Sequence, residues 1–392
     1  MKKKYIILVG DGMADRPVAS LDNRTPLEYA QTPAMNTLAK SGIVRLVATV
    51  PEGYPPGSDV ANLSLMGYDP QVYYSGRAPI EAASLGLPLS SDDTAFRCNL
   101  VKIINETMID YSAGHIDTGK ASRIIKALAT ELDDDSIRFY PGISYRHIVV
   151  IKNFPDGLTC TPPHDITDTP TTPHLPRGNG AEKILSLLKK ARTVIHDFHA
   201  AHPDCLTDAT DIWLWGQGRA LQLPHLKDRF GLNGSVISAV DLVRGLGVLA
   251  GLTVRLVDGA TGYLGTNYAG KVQAAIDALK NEDFVYLHVE APDETSHQGD
   301  LQKKIQAIEE FDHYVVKEIM HYQKEHPELT ILVAPDHATP VSLKTHSSEP
   351  VPFLVSGSSI TADNSCTYCE SSAQGKPIYS GPELFEHFIR GF

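Results

Sequence analysis

Four short runs in this chain are almost wholly apolar: Tyr5 to Val9, Phe284 to Val289, Leu329 to Ala334 and Val351 to Val355. A strand with one wet face alternates apolar and polar residues, whereas a run without that alternation must be covered on both faces. Amphipathic segments lie between the runs, so the chain is read as an α/β protein with a mostly parallel sheet flanked by helices. Thr32 and Pro33 open one helix over PAMNTLAKSG as cap and first helical residue, with Gly42 as its stop. Asp300 to Glu325 carries a single long amphipathic pattern that ends before Pro327.

The middle of the chain has another texture. Between Arg77 and Arg229 fall Pro162, Pro163, Pro170, Pro173, Pro176 and the run Asp133 to Asp135, among short helical and strand-like patterns. We read residues 77–229 as a smaller α+β domain inserted into a core made of 1–76 and 230–392, a size that suits two domains. An inserted domain can close over chemistry at its junction. Thr159 to Pro176 is expected to be an ordered surface loop or a hinge.

A formal charge of −12 argues against nucleic acid or an anionic membrane as the main partner, because both require a basic face. An anionic substrate would need cations held locally. The apolar run after MKKK stops at Val9, too soon for a secretory core, and is read as a first strand. The five cysteines, Cys98, Cys160, Cys205, Cys366 and Cys369, are scattered and odd in number, which fits a reducing cytoplasm. Cys366 and Cys369 form a C-x-x-C without a second pair, and free thiols are the expectation there.

Residues able to bind metal gather where the apolar runs end, the edge at which parallel sheets bind ligands. Asp11 follows the first run, Asp293 and His297 follow the second in EAPDETSH, Asp336 and His337 follow the third, and His346 precedes the fourth. Any one of them alone reads as a helix cap or a solvated side chain. Together, with Asp293 and His297 spaced to share a helix face, they point to metal ligation. Mixed Asp and His donors suit Mn2+ or Zn2+, with Mg2+ or Co2+ as alternatives, over Ca2+. Ser58, in the glycine-flanked turn PPGSDVANL, reads equally as a helix N-cap or as a nucleophile. No Ser-His-Asp spacing is evident around it, so a bound metal and a helix N-terminus are its expected activators, with two ions serving the attacking and leaving oxygens.

Asp11, Gly57-Ser58-Asp59-Val60, Asp293-x-x-x-His297, Asp336-His337 and Thr345-His346 stand in the order seen in the alkaline phosphatase superfamily. More closely, the chain resembles the archaeal-type branch of the cofactor-independent phosphoglycerate mutases over nearly its whole length, including GRAPIEAASLG, FRCNLV, YSAGH and GATGYLGTNYAGK. The resemblance implies an alkaline-phosphatase-like fold, one metal on Asp11, Ser58, Asp336 and His337, and a second on Asp293, His297 and His346. It implies that Ser58 carries phosphate transiently while 3-phosphoglycerate and 2-phosphoglycerate interconvert, a step of glycolysis and gluconeogenesis that here needs no bisphosphoglycerate. His115 in YSAGH matches a substrate-contacting histidine of the inserted domain. Arg146 and Arg219 are candidates for the carboxylate or phosphate, whose geometry the guanidinium fork matches, with surface salt bridges as the plainer alternative. A lysine that longer family members carry near the phosphoserine has no counterpart around Gly247, and Lys271 is the candidate substitute. The partner expected is therefore a small phosphorylated molecule, with oligomeric state left open.

Three rival readings share this site. Some bacterial members of the branch have been proposed as homoserine kinases, yet no G-x-x-x-x-G-K-[ST] loop is present, and Gly245-x-Gly247 lies in an apolar, helix-like stretch. A metal-dependent phosphomonoesterase would use the same residues and differ in its lid. A fold degraded to a binding role would not be expected to keep every ligand position. Sulfatases need a C/S-x-P-x-R segment that Ser58-Asp59-Val60 does not supply.

Overall fold

The computed structural model describes residues 2–392 and divides into two compact units, Ser75–Leu221 and the remainder of the chain on either side of it. The inserted unit begins at Ser75 rather than Arg77 and ends at Leu221 rather than Arg229. Packing explains both differences. A Cβ on Gly76 would lie 2.1 Å from the Gln217 carbonyl oxygen, which ties that residue to the inserted unit. Helix Leu226–Phe230 belongs to the other unit, where Leu226 donates to the Ala250 carbonyl and Arg229 to that of Gly67.

The larger unit is built on an eight-stranded sheet in the order Thr253–Val254, Gly234–Ile237, Phe284–Val289, Lys4–Gly10, Leu329–Ala334, Val351–Ser356, Ile43–Ala48, Ile378–Ser380. Every strand runs the same way except Val351–Ser356, which is antiparallel to both neighbours. The central strands are buried along their whole length, as their unbroken apolar runs require. One face packs Ile6, Leu8, Val285, Leu287, Ile331 and Val333 against helices Pro33–Lys40, Tyr268–Asn281 and Leu301–Phe311. Each such side chain contributes roughly 1.5–3 kcal/mol relative to exposure.

Two helix expectations need correction. Thr32 precedes helix Pro33–Lys40 but gives it no side-chain cap. Asp312 does so instead, accepting from the Ala34 and Met35 N–H groups at 3.1 and 2.7 Å. The pattern over 300–325 is not one α-helix: the α-helices Leu301–Phe311 and Lys317–Glu325 are joined by a π-helical turn, Asp312–Val316, at the point where Asp312 is buried. Gly42 follows the end of its helix, and close packing requires a glycine there, since a Cβ would come within 2.2 Å of the Val355 carbonyl oxygen.

The inserted unit carries an antiparallel sheet around the long strand Asp93–Ile104, which pairs with Arg146–Lys152, Asp211–Arg219 and Thr107–Asp110. Helices Thr118–Leu132 and Ala181–Ala201 bury Ile124, Leu128, Leu187 and Ile195 with this unit's sheet residues Phe96, Val149 and Leu214. The segment 159–176 is an ordered loop: Asp168 donates to Met108 and Thr171 to Glu106 through backbone N–H groups. Among the described residues no helix is long and apolar enough to cross a membrane.

Candidate metal and nucleophile site

Sheet register sets the height at which the functional side chains emerge. Val9 is level with His288 on one side and Ala334 on the other, so Asp11, Asp293 and Asp336 leave adjacent strands at one edge. The reversed strand Val351–Ser356 starts at that same edge, which is why His346, lying before its strand, joins ligands that follow theirs.

Ser58 opens helix Ser58–Leu65, but Gly57 holds the cap position and no side chain caps this helix. The N-cap reading of Ser58 therefore fails. Its half-buried hydroxyl instead meets His337 Nε2 at 3.1 Å, across a separation of 279 residues that hid the pair from the sequence reading. His337 Nε2 also lies 3.3 Å from Asp336 Oδ2 and 3.7 Å from Asp11 Oδ1. Asp293 Oδ2 is 3.0 Å from His297 Nε2, and its Oδ1 is 3.6 Å from His346 Nε2. The structure thus brings together every residue expected to bind metal. Of the close groupings, Asp293 with His337 and His346 crosses the two sets the resemblance implied, whereas Asp11 and Asp336 stay within one set and gain His288.

Hydrogen bonds on the far side of each imidazole fix its tautomer. His297 Nδ1 faces the Lys344 carbonyl at 3.0 Å and His346 Nδ1 that of Pro56 at 3.3 Å, and a carbonyl can only accept. Thr339 donates its hydroxyl to Asp293 Oδ1 and so accepts from His337 Nδ1 at 3.2 Å. In these three histidines Nδ1 is therefore the donor, and each Nε2 presents a lone pair to the cluster. His297 and His346 point these at each other across 3.0 Å, an arrangement that needs a shared cation between them. Burial alone would lower the basicity of His297, yet Asp293 raises it to about 9, so in the metal-free chain a proton fills that role.

Asp11 carries the opposite imbalance. Burial, then Asp336 and Asp293, push the Asp11 carboxyl well above its usual range. Asp11 Oδ1 is buried without a hydrogen-bond partner. An orphaned carboxylate oxygen, clustered acids and imidazole lone pairs are a donor set that fits divalent metal.

Several supporting residues escaped the sequence reading. His288 sits inside a run read as core, donates from Nε2 to Asp11 Oδ2 at 2.9 Å and takes a hydrogen bond from Ser238 on Nδ1. Burial lowers its pKa to about 4 and keeps it neutral. Asn62 donates to Asp336 Oδ2 at 2.8 Å and is itself held by the Tyr286 hydroxyl. A single histidine inside an otherwise apolar run was the available signal for His288; Asn62 and Thr339 gave none.

Gly12, between Asp11 and the next loop, has φ +59, and a Cβ there would lie 2.5 Å from both Asp293 Oδ1 and Thr339 Oγ1. Gly12→Ala is expected to lower stability by about 1–3 kcal/mol and to displace both groups, weakening metal binding roughly tenfold or more. Thermal denaturation alongside a Mn2+ titration checks this, and unchanged metal affinity would contradict the packing described.

Of the residues expected to hold substrate, His115 and Arg146 flank one ring, Tyr145, at 6.1 Å for the imidazole and 5.7 Å for the guanidinium. Arg219 stands apart. It pairs with Thr94 while Arg146 pairs with Asn99, five residues or about 17 Å farther along the strand. Arg219 is engaged by Asp156 at 3.0 Å and by the Phe154 carbonyl, the salt-bridge alternative weighed for it. Near Arg146 the sequence reading missed an arginine group: Arg77 and Arg97 both pair with Glu81, at 3.1 and 2.9 Å, and Arg97 lies 4.1 Å over the Trp215 ring. Burial, with Arg77 and Arg146 adding to it, lowers Arg97 to about 10 despite Glu81.

Lys271 is buried and donates to the His288 carbonyl at 3.1 Å. A Cβ on Gly247 would sit 2.3 Å from Val236, so helix–strand packing accounts for that glycine. Cys369 Sγ meets the Ser372 hydroxyl at 3.1 Å, and all five cysteines are free.

The family model for 2,3-bisphosphoglycerate-independent phosphoglycerate mutase matches residues 39–201. A Methanosarcina acetivorans protein of that name is 51% identical over 358 residues, covering 90% of each chain. A Geobacter sulfurreducens protein named as a probable member is 49% identical, covering 98% of this chain and 99% of its own. Among solved structures, the cofactor-independent phosphoglycerate mutase from Thermoplasma acidophilum superposes with a TM-score of 0.67 at 26% identity, over 99% of both chains. A Pyrococcus horikoshii protein superposes with a TM-score of 0.80 at 27% identity, over 100% of this chain and 98% of that one.

Proposed function

This chain belongs to the 2,3-bisphosphoglycerate-independent phosphoglycerate mutases, and from that premise we propose that it interconverts 3-phosphoglycerate and 2-phosphoglycerate with Ser58 as the transient phosphate carrier. The observation that carries the reading is the Ser58 hydroxyl, 3.1 Å from His337 Nε2 at the edge of a cluster of acids and imidazoles. Asp11, Ser58, Asp336 and His337 would hold one divalent ion and Asp293, His297 and His346 a second, Mn2+ or Zn2+ by donor chemistry. Bound there, such ions supply positive charge that lowers the Ser58 hydroxyl pKa and offsets charge on the transferring phosphoryl group.

The chain's own residues do the rest. Thr339 and the Lys344 and Pro56 carbonyls orient the imidazoles, and Asn62 and the Gly12 N–H orient Asp336. The Ser58 oxygen attacks phosphorus and the phosphate–glycerate bond breaks. The other glycerate hydroxyl then takes the phosphoryl group back, which regenerates the serine. Helix Ser58–Leu65 directs its N-terminal partial charge at the phosphoserine. In the inserted unit, Arg77, Arg97 and Arg146 gather around Glu81, and we assign them, with His115, to the anionic substrate. The free cysteines suit a cytoplasmic setting.

A coupled assay for 2-phosphoglycerate formed from 3-phosphoglycerate, with Mn2+ and without bisphosphoglycerate, tests the proposal. Turnover is expected in both directions. No turnover, together with ATP consumed in the presence of homoserine, would replace it with the kinase reading.

A further inference from the structure

Helix Leu301–Phe311 turns Ile305, Ile308 and Phe311 into the core, and Lys304 lies on that buried side, wholly out of water. A buried ammonium persists only when paired and hydrogen-bonded. Lys304 Nζ has three acceptors: the Ala14 carbonyl at 3.1 Å, the Thr339 carbonyl at 2.9 Å and Asp15 Oδ2 at 2.8 Å. An ammonium has three protons, so none is left over. Asp15 Oδ2 also accepts from the Val341 N–H at 3.0 Å.

Those partners come from two loops only. Ala14 and Asp15 follow Asp11 in the loop after strand Lys4–Gly10, and Thr339 and Val341 follow Asp336 and His337 in the loop after strand Leu329–Ala334. The loops touch directly where the Thr339 N–H donates to the Ala14 carbonyl at 3.1 Å. Lys304 fastens them at that point, and the Thr339 hydroxyl beside it holds both His337 and Asp293.

We propose that Lys304 is a positioning residue of the metal centre, whose ammonium locks the Asp11 loop to the Asp336–His337 loop so that their ligand atoms face one ion. The proposal rests on the reading that these residues bind divalent metal. Lys304 acts through Ala14, Asp15 and Thr339, and its burial keeps it from touching substrate.

The test is calorimetric titration of the full chain with Mn2+, for the unaltered protein, Lys304→Met, and Lys304→Met combined with Asp15→Asn, which removes the charge that the single change leaves buried. Ile195→Ala, a core change in the inserted unit, serves as the control for lost stability alone. Both lysine variants are expected to bind Mn2+ roughly ten- to a hundredfold more weakly. Excess Mn2+ is expected to restore most of their turnover, while Ile195→Ala keeps the unaltered affinity. Lysine variants that bind Mn2+ as tightly as the unaltered protein would overturn the proposal, as would an equal loss in Ile195→Ala. An unaltered protein that binds no Mn2+ would overturn the metal reading itself, and this inference with it.

Discussion

Ser58→Ala is expected to abolish phosphoglycerate interconversion, with a loss on the order of 10⁴-fold or more, while leaving the fold intact. The size follows from the chemistry: the variant has lost the oxygen that accepts the phosphoryl group. His337 would still bind metal, but nothing would carry phosphate between the two hydroxyls. The intact fold follows from the structure. Gly57, not Ser58, caps the helix, and the Ser58 hydroxyl has its contact with His337 inside the site rather than with the helix backbone. Removing it should shift stability by no more than about 0.5 kcal/mol. Turnover and thermal denaturation measured together check both halves, and activity within tenfold of the unaltered protein would exclude Ser58 as the carrier.

Removal of metal is expected to have an effect as large. A chelator should eliminate turnover and Mn2+ should restore it, because the cluster without a cation sets Asp11, Asp293 and Asp336 together in a buried space. Occupancy at a hundredfold excess over Kd should add about 2.7 kcal/mol of stability, visible as a raised Tm. The pH dependence has a definite sign. Burial works to lower His297, but Asp293 raises it to about 9 in the metal-free chain. The metal must therefore displace a proton from His297 at neutral pH, and its apparent affinity should climb about tenfold per unit as pH rises toward that value. Affinity that stayed flat between pH 6 and 8 would contradict this account of the histidine pair.

The residues legible in the sequence were those whose position depends on their own strand. Asp11, Asp293 and Asp336 each follow an apolar run, and a run's end is visible without knowing its neighbours. What lay beyond reach depends on which strands are adjacent. Strand Lys4–Gly10 lies beside Phe284–Val289, so His288 reaches Asp11 across a separation of 277 residues, and helix Ser58–Leu65 brings Ser58 to His337 across 279. Nothing in the amphipathic pattern over 300–325 sets Lys304 apart, and only the packing of its helix turns it inward. Arg77 and Arg97 stood inside segments that carried the family resemblance, yet their grouping requires Glu81 to lie between them. Arg219 shows the converse, since strand register separates it from Arg146.

The central claim is that phosphate passes through Ser58. Its most direct test is an acid quench of the unaltered enzyme during turnover of 3-phosphoglycerate, followed by mass spectrometry of the tryptic segment 46–77. The account predicts a phosphorylated form of that segment with the added mass on Ser58, absent from Ser58→Ala. Phosphate located on another residue would contradict it.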